Sequence, residues 1–170
     1  MRRISKVLVI IMCLFLITGC GGMTKNQRNT VIKELKSEKI IDKKWEQIDV
    51  YCESTYSAEF RTTSGYGYIY KDENGIMYEI YIASYKKDKE NSDIETSVIT
   101  KSRLSGIDTS VEILDKEKSC PSKCFSYEDE TKSEKSKYIV DESTSEKYIF
   151  TKTKTKFLFL PVTKYKVEKQ

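Results

Sequence analysis

Three cysteines beyond the first twenty residues have the most distinctive chemistry in the chain: Cys52, Cys120 and Cys124. In Cys120-Pro121-Ser122-Lys123-Cys124 three residues separate the two thiols, a spacing found in thiol redox and copper sites. Copper-delivery proteins with this spacing usually add a histidine, and the chain has none. We therefore favour a disulfide between Cys120 and Cys124, because a proline turn brings Cα atoms within the ~4.4–6.8 Å that the bond requires. Cys52 is then a buried free thiol, and a bridge from Cys52 to Cys120 or Cys124 is the competing pairing.

The absence of histidine excludes several classes of active site. A Ser-His-Asp triad, a Cys-His dyad and a histidine-ligated metal site all need this residue. The phosphate-binding patterns GxxxxGK[ST] and GxGxxG are also absent from the sequence. Paired carboxylates, as in glycosidases, are compatible with the composition, but the spacing of the acidic residues nominates no pair. We expect a protein that is not an enzyme and that carries no metal or cofactor.

Two sets of alternating side chains form a candidate binding surface. The tyrosine set is Tyr66, Tyr68 and Tyr70, and the lysine set is Lys152, Lys154 and Lys156. The tyrosines have the chemistry to stack on sugar rings, but tyrosine is also a good strand residue and we favour packing. The lysines have the charge to contact phosphate on lipid headgroups or wall polymers. Lysine also protects an edge strand from edge-to-edge aggregation, and we favour that role here.

Two segments have the amphipathic pattern of helices, and we predict a helix in each. The first covers residues 26–39, begins with a capping box at Thr24, and has the apolar stripe Val31, Ile32 and Leu35. Such a stripe can dock a partner or lie on lipid, but packing on the chain's own sheet is the commoner explanation. The second helix is predicted over residues 93–104, after a capping box that starts at Ser92.

Alternating apolar residues predict β-strands over most of the remaining chain. Ile48, Val50 and Cys52 alternate from Gln47 onward, as in a half-buried strand. A β-hairpin is predicted where residues 66–71 and 76–84 are joined by Asp72-Glu73-Asn74-Gly75, since Asn-Gly tolerates the positive φ of tight loops. Further strands are predicted at residues 56–62, 109–114, 125–127, 137–140 and 147–151.

Three further segments complete the predicted C-terminal half. Residues 128–137 are almost entirely polar and predict an exposed loop. The polar run 141–146 predicts a turn between two strands. Phe157-Leu158-Phe159-Leu160 is apolar at every position, which predicts an interior strand buried on both faces.

The first nineteen residues have the organisation of a secretory signal. Arg2, Arg3 and Lys6 are followed by an apolar run from Val7 to Ile17. That run is too short for a membrane-spanning helix, which needs ~20 apolar residues. We expect residues 1–19 to be a removable signal peptide.

The residues that end this segment carry a family resemblance. Ile17-Thr18-Gly19-Cys20 resembles the lipobox of bacterial lipoproteins, in which an aliphatic residue and two small residues precede an obligatory cysteine. The resemblance covers about twenty residues. It implies cleavage before Cys20 and a covalent diacylglycerol on the Cys20 thiol. Two acyl chains hold a protein stably, so it also implies attachment to the outer face of the cell membrane.

Charge and length bound the rest of the chain. Three of the 30 basic residues lie in the signal, so the mature chain has 27 basic against 26 acidic residues, a net charge of +1. This balance argues against nucleic-acid binding, which needs clustered positive charge. We expect a lipidated tether at residues 20–25 and one extracytoplasmic α+β domain at residues 26–170. The predicted fold has one or two helices on an antiparallel sheet of five to eight strands, an order found in cystatin-like folds.

The expected function is that of a non-enzymatic binding or interaction module with a protein or cell-wall partner. Three alternatives remain open. They are an accessory subunit or chaperone of a membrane complex, an immunity-type lipoprotein, and a carboxylate-based cell-wall hydrolase. The lysine-rich, histidine-free composition favours a Gram-positive host, where the anchored protein faces the wall.

Overall fold

The computed structural model describes residues 23–56, 61–83, 86–108, 138–158 and 160–170. They form one helix, α1 (Lys25–Ser37), packed on an antiparallel sheet of seven strands. The strands are β1 (Glu46–Tyr56), β2 (Arg61–Lys71), β3 (Met77–Ala83), β4 (Lys86–Lys87), β5 (Ile94–Ile107), β6 (Tyr138–Phe157) and β7 (Leu160–Lys169). Their order in the sheet is β1-β2-β3-β5-β6-β7, and the two-residue β4 pairs with β5. The predicted α+β class is confirmed at this level.

Local signals define both ends of α1. Thr24 Oγ1 accepts a hydrogen bond from Gln27 N at 3.3 Å, and Gln27 Oε1 accepts one from Thr24 N at 2.7 Å, which is the predicted capping box. At the other end Lys39 has φ of 58°, and Ile40 N donates to Leu35 O at 2.9 Å, as in a Schellman motif. The helix is therefore confirmed, with bounds close to those predicted.

The apolar stripe of α1 packs on the sheet, as favoured. Val31 and Leu35 are buried, and Ile32 packs against the same core cluster. On β1 the residues Val50 and Cys52 also face α1. Ile48 does not follow the predicted alternation and is exposed, because a register shift between Gln47 and Asp49 interrupts the pairing of β1 with β2.

The hairpin between β2 and β3 is confirmed. Asp72 N donates to Ile76 O at 2.9 Å, and Asp72 Oδ1 accepts from the backbone N of Asn74 and Ile76. Gly75 has φ of 81°, so the glycine supplies the positive φ that the loop requires. The separate strand predicted at residues 56–62 is wrong, because Tyr56 ends β1 and Arg61 begins β2, with residues 57–60 outside the described part.

The second predicted helix is wrong: residues 94–107 form strand β5. Glu95, Ser97 and Ile99 are buried at every second position, which is the period of a strand. The helical spacing in this segment comes from Ile94 and Val98, which are β-branched and therefore also good strand residues. Pairing with β3 on one side and β6 on the other decides between the two periods.

The polar turn predicted at residues 141–146 is an irregularity within one long strand. Lys101 pairs with Glu146 and Arg103 pairs with Asp141, so residues 142–145 bulge from β6 while both its halves pair with β5. Arg103 N donates to Thr144 Oγ1 at 2.9 Å and closes the bulge. The two strands predicted here therefore belong to a single element, which continues to Phe157.

The apolar run near the C-terminus is not an interior strand. Phe157 pairs with Leu160 as the last pair of the β6–β7 hairpin. Phe157 is 68% exposed, Leu158 76% and Leu160 68%. We call these three residues the hairpin tip. The prediction failed because an all-apolar run shows no period, and its position at a chain reversal, where Leu158 has φ of 46°, exposes it.

Cys52 is buried and disulfide-bonded, so its prediction as a free thiol is wrong. Its partner and the favoured Cys120–Cys124 pair lie outside the described residues. Residues 1–22, which include Cys20, also lie outside the described part of the chain. The same holds for the strands predicted at 109–114 and 125–127 and for the loop predicted at 128–137.

Substitution of Gly67 tests the packing on β2. A Cβ at Gly67 would lie 2.0 Å from Tyr51 Cε1, so Gly67→Ala should lower the free energy of unfolding in urea by about 1–3 kcal/mol. Gly106→Ala is the control, because its Cβ would lie at an ordinary 3.6 Å from Ile139 Cδ1. Its effect should stay within about 0.5 kcal/mol. Equal effects for the two variants would contradict the packing described.

Candidate functional site

The sheet face opposite α1 carries three hydrogen bonds from tyrosines to carboxylates. Tyr51 Oη donates to Glu79 Oε1 at 2.6 Å, and Tyr81 Oη donates to Glu53 Oε2 at 2.7 Å. Tyr138 Oη donates to Asp49 Oδ2 at 2.5 Å. We call these six residues the tyrosine–carboxylate cluster. It places acidic side chains from β1 and β3 on one face, although no sequence spacing relates them.

Two glycines of β2 make the cluster possible. Strand β2 lies between β1 and β3, and Gly67 pairs with Tyr51 on one side and Tyr81 on the other. A Cβ at Gly67 would overlap the Tyr51 ring, and a Cβ at Gly65 would lie 2.4 Å from Tyr81 Oη. Because both positions are glycine, each tyrosine lies across β2 and reaches a carboxylate on the far strand.

Burial sets the protonation of this cluster. Glu79 is 6% exposed, and desolvation raises the pKa of its carboxyl above the usual range. The bond from Tyr51 opposes this rise in pKa, and the nearby charge of Glu53 adds to it. Burial, followed by the bond to Asp49 and its charge, raises the pKa of Tyr138, so this phenol remains a donor at neutral pH.

Glu53 and Glu79 are thus two interacting carboxyls, one with a raised pKa, which is a feature of acid–base sites. A general acid must also reach the substrate. Here Glu79 is almost fully buried and both carboxylates already accept a tyrosine hydroxyl. The arrangement is better suited to holding β1 and β3 across β2 than to proton transfer. The Gly-x-Gly of β2 is the one sequence feature that relates to this pair.

The tyrosine set of the candidate binding surface lies in the core, beneath α1. Tyr66, Tyr68 and Tyr70 are all buried in the cluster that contains Val31 and Leu35. Their rings are not exposed for stacking on a sugar, and the packing interpretation is the one observed. Burial raises the pKa of Tyr70 to about 12, with a smaller contribution from Tyr68.

Arg28 was not expected among these rings. Its guanidinium carbon lies 3.9 Å from the centroid of the Tyr66 ring, and its Nε donates to Tyr68 Oη at 2.9 Å. Its Nη1 donates to Met23 O at 2.6 Å. The residue is only 4% exposed, so this charge is held inside the domain by π-electrons and oxygen acceptors. An arginine on the apolar side of a predicted helix was the available signal.

The lysine set divides into two paired residues and one exposed residue. Lys152 Nζ lies 2.6 Å from Glu95 Oε2, and Lys154 Nζ lies 3.8 Å from the other oxygen of this buried carboxylate. Lys156 is exposed near the hairpin tip. The favoured edge-strand role is wrong for Lys152, because β5 and β7 pair with β6 on both sides there. The pairing with β5 ends at Thr153, and beyond it β6 pairs with β7.

The chain matches no protein-family model, no curated protein and no solved structure. In the part of the chain that the structure describes, no helix is long and apolar enough to span a membrane. Among those same residues, no three His, Cys, Asp or Glu side chains are grouped so that they could hold a metal ion.

The raised pKa of Glu79 predicts a pH-dependent stability. A carboxyl whose pKa is raised on folding stabilises the fold below its unfolded value, near 4.5, and this contribution is lost as the pH rises through the folded pKa. The free energy of unfolding of the native protein, relative to Glu79→Gln, should therefore fall as the pH rises above about 4.5. Urea unfolding at several pH values measures the difference.

Comparing the native protein with Glu79→Gln cancels the pH dependence of stability that comes from Glu146, which both proteins contain and which has the opposite sign. Glu146 accepts hydrogen bonds from Lys169 and Tyr148, which lower its pKa and stabilise the fold above its unfolded value. Glu142→Gln, at an exposed carboxyl, is the control and should follow the native profile. A Glu79→Gln difference that stays constant with pH would contradict the role assigned to burial.

Proposed function

We propose that the chain is a bacterial lipoprotein anchored through a diacylglycerol on Cys20, and that its extracytoplasmic domain is a non-enzymatic binding module. The lipobox Ile17-Thr18-Gly19-Cys20 and the basic, apolar segment before it support the anchor. The observation that carries the proposal is how soon the folded domain begins after this cysteine. A folded domain that starts directly behind a lipobox would be held close to the membrane by the proposed lipid.

The start of the domain is well defined. Met23 is buried, its carbonyl oxygen accepts from Arg28, and Thr24 caps α1. Residues 23–25 therefore belong to the folded domain, which corrects the tether predicted at residues 20–25. Only Gly21 and Gly22 separate Met23 from Cys20, a distance of at most ~11 Å for an extended chain. The proposed anchor would hold this end of the domain close to the lipid surface.

The internal use of the polar groups supports a binding module over an enzyme. The carboxylates of the tyrosine–carboxylate cluster accept tyrosine hydroxyls, and the buried Glu95 is paired with Lys152. We further propose a cystatin-like architecture, since a helix followed by antiparallel strands that pair in succession is the order of such folds. That likeness concerns shape alone and implies no activity.

A carboxylate-based wall hydrolase is the second candidate, and Glu53 with Glu79 is the observation that favours it. The pair has the raised pKa that a general acid needs. It ranks second because Glu79 is buried beneath Tyr51. If the pair is catalytic, the native protein should release soluble fragments from purified cell wall and Glu79→Gln should not.

Replacement of Cys20 tests the anchor directly. Cys20→Ala should lose incorporation of a labelled fatty acid and should leave the membrane fraction, because no other residue is proposed to carry the lipid. Cys13→Ala, in the apolar run of the signal, is the matched control and should keep both properties. Lipid label that persists on Cys20→Ala would show that the lipobox assignment is wrong.

In-cell crosslinking tests the binding module. The anchored native protein should capture a specific partner that the Cys20→Ala protein captures at least tenfold less well, because anchoring keeps the domain at the membrane. Recovery of the same partner in equal yield from both would contradict a function that depends on the anchor. Release of wall fragments without a captured partner would favour the hydrolase.

A further inference from the structure

The hairpin tip has the wrong residues for a turn that only reverses the chain. Tight hairpin loops favour Gly, Asn and Asp, which tolerate positive φ. Here Leu158 has φ of 46°, in the left-handed region that a bulky side chain rarely adopts. Phe157, Leu158 and Leu160 are each more than two-thirds exposed. Three large apolar side chains concentrated at a strained chain reversal indicate a contact outside the domain.

The strands that lead to the tip are strongly basic. Residues 151–167 contain five lysines and no acidic residue. Lys154 and Lys156 on β6 and Lys164 and Lys166 on β7 are exposed, although Lys154 lies near Glu95 and Lys166 pairs with Glu168 at 2.7 Å. An apolar tip with a basic collar is complementary to an anionic bilayer, in which phosphate groups lie directly above hydrocarbon.

The strand registers place this tip at the same end of the domain as the start of the chain. The first turn of α1 lies beside Lys152 and Tyr165, which line a cavity of about 210 Å³ together with Asn26, Gln27 and Thr30. At the far end of the helix, Lys36 Nζ lies 5.8 Å from the centroid of the Tyr70 ring. Tyr70 pairs with Tyr78 across β2 and β3, and Tyr78 pairs with Arg103 on β5. Arg103 in turn pairs with Asp141, near the beginning of β6.

The helix therefore begins at the end of the sheet toward which β6 runs. From Lys152 the strand continues five residues to Phe157, about 17 Å at the rise of a strand. The chain from Met23 back to Cys20 spans at most ~11 Å. A lipid on Cys20 would thus enter the bilayer on the side from which the hairpin projects.

We propose that the hairpin tip inserts into the outer leaflet of the membrane while its lysine collar contacts anionic lipid headgroups. The orientation argument rests on the proposed anchor at Cys20, but the tip's composition does not. Phosphate-rich wall polymers match the lysines alone, since they offer no hydrocarbon to Phe157, Leu158 and Leu160. The tip and the anchor together would hold the domain at two points and fix its orientation on the membrane.

Tryptophan quenching by brominated acyl chains tests insertion in the anchored protein. Trp45 is the only tryptophan of the chain and stacks on Tyr78 with ring centroids 4.4 Å apart, away from the tip. In vesicles of phosphatidylglycerol and phosphatidylcholine, the emission added by Phe157→Trp should fall by at least half when the acyl chains are brominated. The native protein, with Trp45 alone, should be quenched little. Vesicle-bound Phe157→Trp protein without quenching overturns the proposal.

An unlipidated protein separates the tip from the anchor. The chain from residue 20 with Cys20→Ala contains every described element, and its folding is checked by its thermal transition. Adding Phe157→Ser, Leu158→Ser and Leu160→Ser should lower its partition onto anionic vesicles at least tenfold. Adding Ile107→Ser and Ile139→Ser instead, at exposed positions at the other end of β5 and β6, should lower it less than twofold.

The outcomes distinguish the two proposals. If the native protein incorporates no lipid but the unlipidated protein still binds vesicles through its tip, the anchor is wrong and the tip is supported. If the serine variant binds vesicles as well as its parent, insertion is wrong. If the serine variant loses a crosslinked protein partner but still binds vesicles, insertion is also wrong, and the tip binds that partner instead.

Discussion

The buried guanidinium of Arg28 is the constraint on which the placement of the helix depends. An arginine taken out of water is costly unless its charge and donors are satisfied. Here the Tyr66 ring lies beneath it, Tyr68 Oη accepts from Nε, and Met23 O accepts from Nη1. These contacts fix the first turn of α1 over β2 and also hold the residue that precedes the cap. The entry point of the chain and the packing of the helix are therefore set by the same side chain.

Strand β6 extends that arrangement to both ends of the domain. Its first residue, Tyr138, contributes to the tyrosine–carboxylate cluster, whereas Tyr148 and Phe150 belong to the core beneath α1. The bulge at residues 142–145 lies between these two parts. Beyond the core the strand continues past α1 and pairs with β7 as far as the hairpin tip. One element thus connects the polar face, the apolar core and the exposed hairpin.

Sequence reasoning succeeded where the signal was local. The capping box of α1 and the Asn-Gly hairpin are each complete within a few residues, so the segment alone specifies them. It failed where the partner strand decides. Ile94 and Val98 fit both a helix and a strand, and pairing with β3 and β6 settles the choice. The tyrosine–carboxylate cluster could not be predicted because its members meet through strand register, and an unbroken apolar run carries no information about its depth.

The alternation of tyrosine and glycine in β2 has a consequence for the folding of the sheet. Tyr66 and Tyr68 face α1, while Gly65 and Gly67 face the rings of Tyr81 and Tyr51. A slip of one residue against β1 or β3 would turn the phenol rings into the space that only glycine allows and leave glycines facing the helix. Both sides of the strand would be penalised at once. The alternation therefore favours one register of β2 and disfavours misaligned pairing, in a domain built largely of long antiparallel strands.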